Sequence, residues 1–199
     1  MIGPVADAPR FYFAAMSPYS WLAAERIGTV LPQATWVPVT AAFVFKANGR
    51  TSWGLTEQRE RGIAESEQRA RAYGLGPIHW PDPWPASDIP VARAMTFAAS
   101  IDRLAPYALG CMRLAFLEGR GLEQTETLRD AADRCGIDAD ELTAALARDE
   151  IKQALRDETD AAVALGVFGV PTVIVEGELF WGDDRLQDAA VAHRRALSG

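Results

Sequence analysis

Ser17-Pro18-Tyr19-Ser20 is the stretch on which the fold turns, and Gly169-Val170-Pro171-Thr172, far downstream in a chain of 199 residues, is its counterpart. The run Phe11-Tyr12-Phe13 ahead of it reads as a strand, and Trp21, Leu22, Ile27 and Leu31 behind it recur at helical spacing. Pro18 stands where a first helical turn tolerates a missing N–H, which makes Ser17 the N-cap. A hydroxyl at that point lies among free backbone N–H groups at the positive end of a helix, a place that favours an anion.

Working outward, Thr35-Trp36-Val37-Pro38-Val39 alternates as a second strand, with Pro38 removing one donor and favouring a sheet edge or strand end. From Leu55 to about Tyr73, charges of both signs are spaced to face solvent on a helix. Gly76 to Pro90 carries Pro77, Pro81, Pro83, Pro85 and Pro90 around Trp80 and Trp84 and cannot propagate one. Helical patterns resume at Val91–Asp102, Pro106–Glu118, Thr125–Cys135, Asp138–Ala147 and Glu150–Leu165, with Gly119, Gly121, Gly136 and Gly166 as stops. Thr172-Val173-Ile174-Val175, a turn at Glu176-Gly177-Glu178 and Leu179-Phe180-Trp181 form a hairpin, and a last helix begins near Asp183. The order strand–helix–strand, helical block, strand–strand–helix describes an α/β chain with a thioredoxin-like core. Residues 9–45 and 160–199 form that core, and 46–159 are a large helical insertion.

Composition excludes several classes. The chain is 49% hydrophobic and 24% charged, an ordinary globular balance, and its net charge of −7 with no long Lys or Arg run repels a phosphate backbone. The stretch Ala161 to Val175 is broken by Gly166, Gly169 and Pro171, and Met1 to Arg10 lacks a signal-like apolar centre. Neither nucleic acid, membrane nor export is expected, and the cytoplasm is the expected location. Cys111 and Cys135 lie on separate helical stretches with no partner at metal-ligand spacing, so they read as structural thiols and no metal is expected. His79 in the Pro-rich loop and His193 in the last helix suggest no dyad.

In a disulfide oxidoreductase the segment at 17–20 would be Cys-x-x-Cys; here both sulfur positions, Ser17 and Ser20, are hydroxyls. A hydroxyl cannot shuttle electrons, but it can donate a hydrogen bond to a thiolate brought by another molecule. With Phe43-Val44-Phe45-Lys46-Ala47, Phe168-Gly169-Val170-Pro171-Thr172 and Phe180-Trp181-Gly182-Asp183-Asp184-Arg185-Leu186, the segment closely resembles the 2-hydroxychromene-2-carboxylate isomerases. That family sits with the kappa-class glutathione transferases in the DsbA-like thioredoxin superfamily. The resemblance implies glutathione as cofactor, with Ser17 contacting its sulfur and Val170, before a cis Pro171, pairing with its cysteinyl part like an added strand. It also implies that Trp181, Gly182, Asp183 and Asp184 hold the γ-glutamyl end, that Lys46 meets a substrate carboxylate, and that the protein is a homodimer.

The implied reaction is a thiol-assisted cis–trans isomerisation of a conjugated aromatic carboxylate. Lys46 or an arginine such as Arg93 would neutralise the acid group, and Trp53, Trp80 and Trp84 would form an aromatic wall. The residues alone also fit plainer roles: Ser17 and Asp183 as helix caps, Lys46 as a solvated charge, Trp181 as core. A kappa-like transferase or peroxidase, or a paralogue that binds glutathione or a peptide without turnover, are the competing functions. The chain departs from the family at Ala14-Ala15 for Asp-Phe, at Ser87-Asp88 for Asn-Thr, and across Gly49-Arg50-Thr51-Ser52-Trp53, which lacks an asparagine.

Overall fold

Alternation along the first strand divides the core in two. In the computed structural model, which describes residues 7–198, β1 (Arg10–Phe13) turns Phe11 and Phe13 to one face of the sheet and Tyr12 to the other. All three rings are fully buried. Phe11 and Phe13 stack at 5.2 Å and share their side with Trp21, Leu22 and Ile27 of α1 (Pro18–Val30). Tyr12 and Ala14 share theirs with Val37, Val44, Ala162, Val167 and Val170.

The sheet has the order β2-β1-β3-β4, with β2 (Thr35–Pro38) parallel to β1 and the hairpin β3 (Thr172–Val175) and β4 (Glu178–Trp181) antiparallel. Pro38 closes an edge strand, where its missing N–H breaks no ladder. The hairpin turns on Glu176 and Gly177, both at positive φ, the geometry of a two-residue turn that matches strand twist.

Between the halves lie α2 (Ala41–Ala47), a short 3-10 turn at Trp53–Leu55, α3 (Arg59–Ala72), α4 (Ile89–Ser100), α5 (Leu104–Glu118), α6 (Thr125–Arg134), α7 (Ala139–Ala145) and α8 (Asp149–Ala164). The helix expected from Leu55 begins only at Arg59, because Ser52 caps the 3-10 turn ahead of it through the Gly54 N–H. Gly119, Gly136 and Gly166 end their helices at positive φ; Gly121 does not adopt it. A 3-10 turn at Asp183–Arg185 precedes the last helix, α9 (Leu186–Ala196), which packs on α1, β3 and β4. On the opposite face, α8 packs against β2, α2 and α4. No helix among the described residues is long and apolar enough to cross a membrane.

Candidate active site

A cleft of about 1460 Å³ opens where the start of α1, α2, the 49–58 segment, α3, the Pro-rich loop and the β3–β4 hairpin converge. Ser17, Lys46, Trp84, Val170, Pro171, Trp181, Gly182, Asp183 and Asp184 all line it. Trp53 lines it as well, whereas Trp80 does not: its indole N–H donates to Glu67 and its ring packs edge-on against Phe116. Arg93 is also elsewhere, its guanidinium donating to the Leu146 carbonyl. Cys111, Cys135, His79 and His193 are absent from the lining. Burial pushes the Cys111 thiol up to about 12, which keeps it protonated and inert.

Ser17 is the N-cap of α1, with extended backbone and an Oγ that accepts from the Ser20 N–H at 3.2 Å. The Oγ donates no hydrogen bond among the described residues, so its proton is available to the cleft. Ser20, by contrast, is fully buried, and its Oγ accepts from the Ala14 N–H at 3.3 Å. The second hydroxyl therefore holds the end of β1 to α1, while the first lines the cleft.

Val170, which lines the same cleft as Ser17, is joined to Pro171 by a cis peptide. Val170 is buried, yet its backbone N–H and C=O make no hydrogen bond among the described residues. Buried backbone groups are nearly always paired; a free donor and acceptor on one residue, beside a cleft, fit the addition of one extended segment. Gly182 continues this wall at φ +118, a value that needs glycine, and its N–H is tied to the Pro171 carbonyl at 2.9 Å. Trp181 is 43% exposed and lies on Gly169, where a Cβ would approach its indole nitrogen to 2.6 Å.

Asp183 and Asp184 diverge. The Asp183 side chain is buried, with Arg69 donating to Oδ1 at 2.7 Å and the Tyr73 hydroxyl to Oδ2 at 2.9 Å, while Arg26 donates to its carbonyl at 3.0 Å. Burial pushes this carboxyl up and Arg69, Tyr73 and Arg26 draw it back. Its oxygens are spent on the protein, so it positions the segment, whereas Asp184, also 3.3 Å from Arg69, has a side chain that is 54% exposed at the cleft. Arg69 and Tyr73 lie more than a hundred positions upstream, on and just after α3, and no local pattern marks them as partners of the hairpin.

Lys46 sits in the last turn of α2, exposed and without a carboxylate partner among the described residues. The start of α2 depends on a distant residue. Thr40, its N-cap, makes no side-chain cap, and the Asp88 carboxylate from the Pro-rich loop accepts from the Ala41 N–H at 2.8 Å. Thus Asp88, one of the departures from the family pattern, fastens the loop to the helix that carries Lys46. Burial pushes the Asp88 carboxyl up, against the pull of the Ala41, Asp88 and Ala42 N–H groups. With the folded value above the unfolded one near 3.9, the contribution of Asp88 to stability is full at low pH and is lost as pH rises through the folded value. Above about pH 4, the stability that Asp88 contributes is expected to fall as pH rises, and Asp88→Asn, which keeps an acceptor but cannot titrate, is expected to remove that part of the pH dependence of Tm. Thermal melts of both chains across that range check it.

The fold and a serine at the mouth of the first helix define a thioredoxin-like domain with a large helical insertion and no cysteine at its active-site positions. The DSBA-like thioredoxin domain matches residues 10–192, and the chain belongs to that family. It is 27% identical over 184 residues to a 2-hydroxychromene-2-carboxylate isomerase from Sphingobium xenophagum, covering 88% of this chain and 92% of that protein. To glutathione S-transferase kappa 1 from Homo sapiens it is 24% identical over 207 residues, covering 94% and 90%. Among solved structures, a 2-hydroxychromene-2-carboxylate isomerase superposes with a TM-score of 0.83 at 23% identity, covering 94% of this chain and 95% of that one.

Proposed function

We propose that this protein is a glutathione-dependent cis–trans isomerase of the 2-hydroxychromene-2-carboxylate type. The observation that carries this reading is the unpaired N–H and C=O of Val170 in the same cleft as the undonated hydroxyl proton of Ser17. Glutathione fits the pair: both backbone groups of Val170 would hold an extended cysteinyl residue, and Ser17 would hold its sulfur. Gly182 and Asp184, with Asp183 positioning them, would hold its γ-glutamyl end. When bound, glutathione supplies a thiolate that adds reversibly to a conjugated double bond, so that the bond can rotate before the sulfur leaves.

The chain's share is to make that thiolate and to place the substrate. A free thiol has a pKa of about 8.5, and lowering it by two units requires roughly 2.7 kcal/mol of selective anion stabilisation. A hydrogen bond donated by Ser17 to a charged sulfur provides about 1.5–3 kcal/mol, and the helix end adds roughly 0.3–1 kcal/mol. Lys46 would meet the substrate carboxylate, and Trp84, almost fully buried, would back the aromatic side of the pocket.

The relation to the kappa-class transferase favours a second reading, in which glutathione is consumed in a conjugate or oxidised. Product analysis separates the two. With a 2-hydroxychromene-2-carboxylate and a small fraction of an equivalent of glutathione, the isomerase reading expects many turnovers per glutathione, up to the equilibrium mixture of isomers, and undiminished free thiol. Turnover that stops when the thiol is exhausted overturns it in favour of the transferase.

A further inference from the structure

Gly62 lies inside α3 with no positive φ to require it, and an interior glycine weakens a helix. What requires it is Trp53: a Cβ at Gly62 would stand 2.3 Å from the indole ring. A second glycine does the same for a second indole. A Cβ at Gly54 would stand 2.8 Å from Trp84 and 2.9 Å from Pro85. The two indoles meet at 4.9 Å between centroids and both line the cleft.

Each indole is also tied to a neighbour of Ser17. The Trp84 N–H donates to the carbonyl of Met16, one residue before it, at 3.0 Å. Trp53 meets the ring of Tyr19, two residues after it, edge-on at 6.1 Å. Trp84 is nearly buried and serves as backing, whereas Trp53 is half-buried and keeps a surface open to the cleft.

We infer that Trp53, seated on Gly62, is a specificity-determining residue: a flat platform that selects planar, fully conjugated electrophiles over saturated acids of the same size. The inference rests on the functional reading above for what is done to the bound molecule, but not for how it is bound. A rigid indole face gains most from a ring system that can lie parallel or edge-on to it. A puckered skeleton of equal carbon count makes fewer such contacts, so shape and not hydrophobicity decides.

The test uses 2-naphthoate and decahydro-2-naphthoate, which share charge and skeleton and differ in planarity, titrated calorimetrically into the full chain with and without glutathione. Wild type is expected to bind the planar acid about tenfold more tightly, and Trp53→Leu to reduce that ratio to roughly twofold, with Trp53→Phe between them. Gly62→Ala, by displacing the indole, is expected to follow Trp53→Leu; should it fail to fold, Trp53→Leu carries the test alone. Glutathione affinity, titrated separately, should stay within about twofold of wild type in the Trp53 variants. A planar-to-saturated ratio that Trp53→Leu leaves unchanged, or a wild type that binds neither acid, overturns the platform. Loss of glutathione binding by wild type with the ratio intact supports the platform and overturns the functional reading instead.

Discussion

Ser17→Ala should slow glutathione-dependent turnover roughly 10- to 100-fold at neutral pH, because it removes a charge-assisted hydrogen bond of about 1.5–3 kcal/mol from the sulfur anion. The helix end remains, so part of the thiol's activation survives. The pH dependence separates this from a structural effect. In the variant the bound thiol ionises about one to two units higher, and the rate deficit should shrink as pH is raised toward about 9, where the thiol ionises unaided. Ser17→Thr, which keeps a hydroxyl and an N-cap, should recover most of the rate. The same alanine also loses the cap on α1, at about 1 kcal/mol of stability, so each variant's melting curve belongs beside its rates. Ultraviolet titration of bound glutathione gives the thiol pKa, and an unchanged value in Ser17→Ala would remove Ser17 from the mechanism.

Asp183→Ala should cost about 3 kcal/mol and lower Tm by roughly 6–12 °C, the most severe loss expected from a single substitution at the cleft. The buried carboxylate answers Arg69 and Tyr73 together, and its removal leaves a hydroxyl and part of a guanidinium charge unanswered in a protein interior. Although burial opposes it, Asp183 and Asp184 hold the Arg69 pKa up, so that charge will not be shed. Asp184→Ala removes an exposed carboxylate and should change Tm little, while weakening glutathione binding. Paired melts and titrations of the two variants divide the roles: a large Tm loss at 183, a large affinity loss at 184. Equal melting temperatures for both would show that the buried network contributes nothing.

Much of this architecture is written locally. Phe11 to Phe13, the Pro18 that starts α1, and the Glu176-Gly177 turn each carry their own stereochemical reason, and they stand where spacing places them. The gathering of nine positions around one cleft was legible through the combined pattern of 17–20, 43–47, 168–172 and 180–186, with Trp84 added from the Pro-rich loop. The contacts that make the cleft specific were not. Asp183 looks like a helix cap, and its partners on the α3 side become visible only when the chain is folded. Asp88 reads as a loop residue, and its service to α2 spans 47 positions. Trp80 resembles Trp84 in sequence context, yet Glu67 and Phe116 turn it to the far side. Gly62 resembles an ordinary helix weakness until the ring above it is seen. In each case the deciding partner is distant in sequence, where neither periodicity nor turn chemistry reaches.

The tie from Arg69 and Tyr73 to Asp183 has a consequence for modularity. Glutathione's proposed berth is finished by a segment that the intervening helices hold in place, so excising them would not yield a smaller working enzyme. A pared-down version built only from the strands and their two flanking helices would retain the serine and the proline but lose the anchor that keeps Asp184 turned outward. Such a miniature should accept the tripeptide poorly however well it folds.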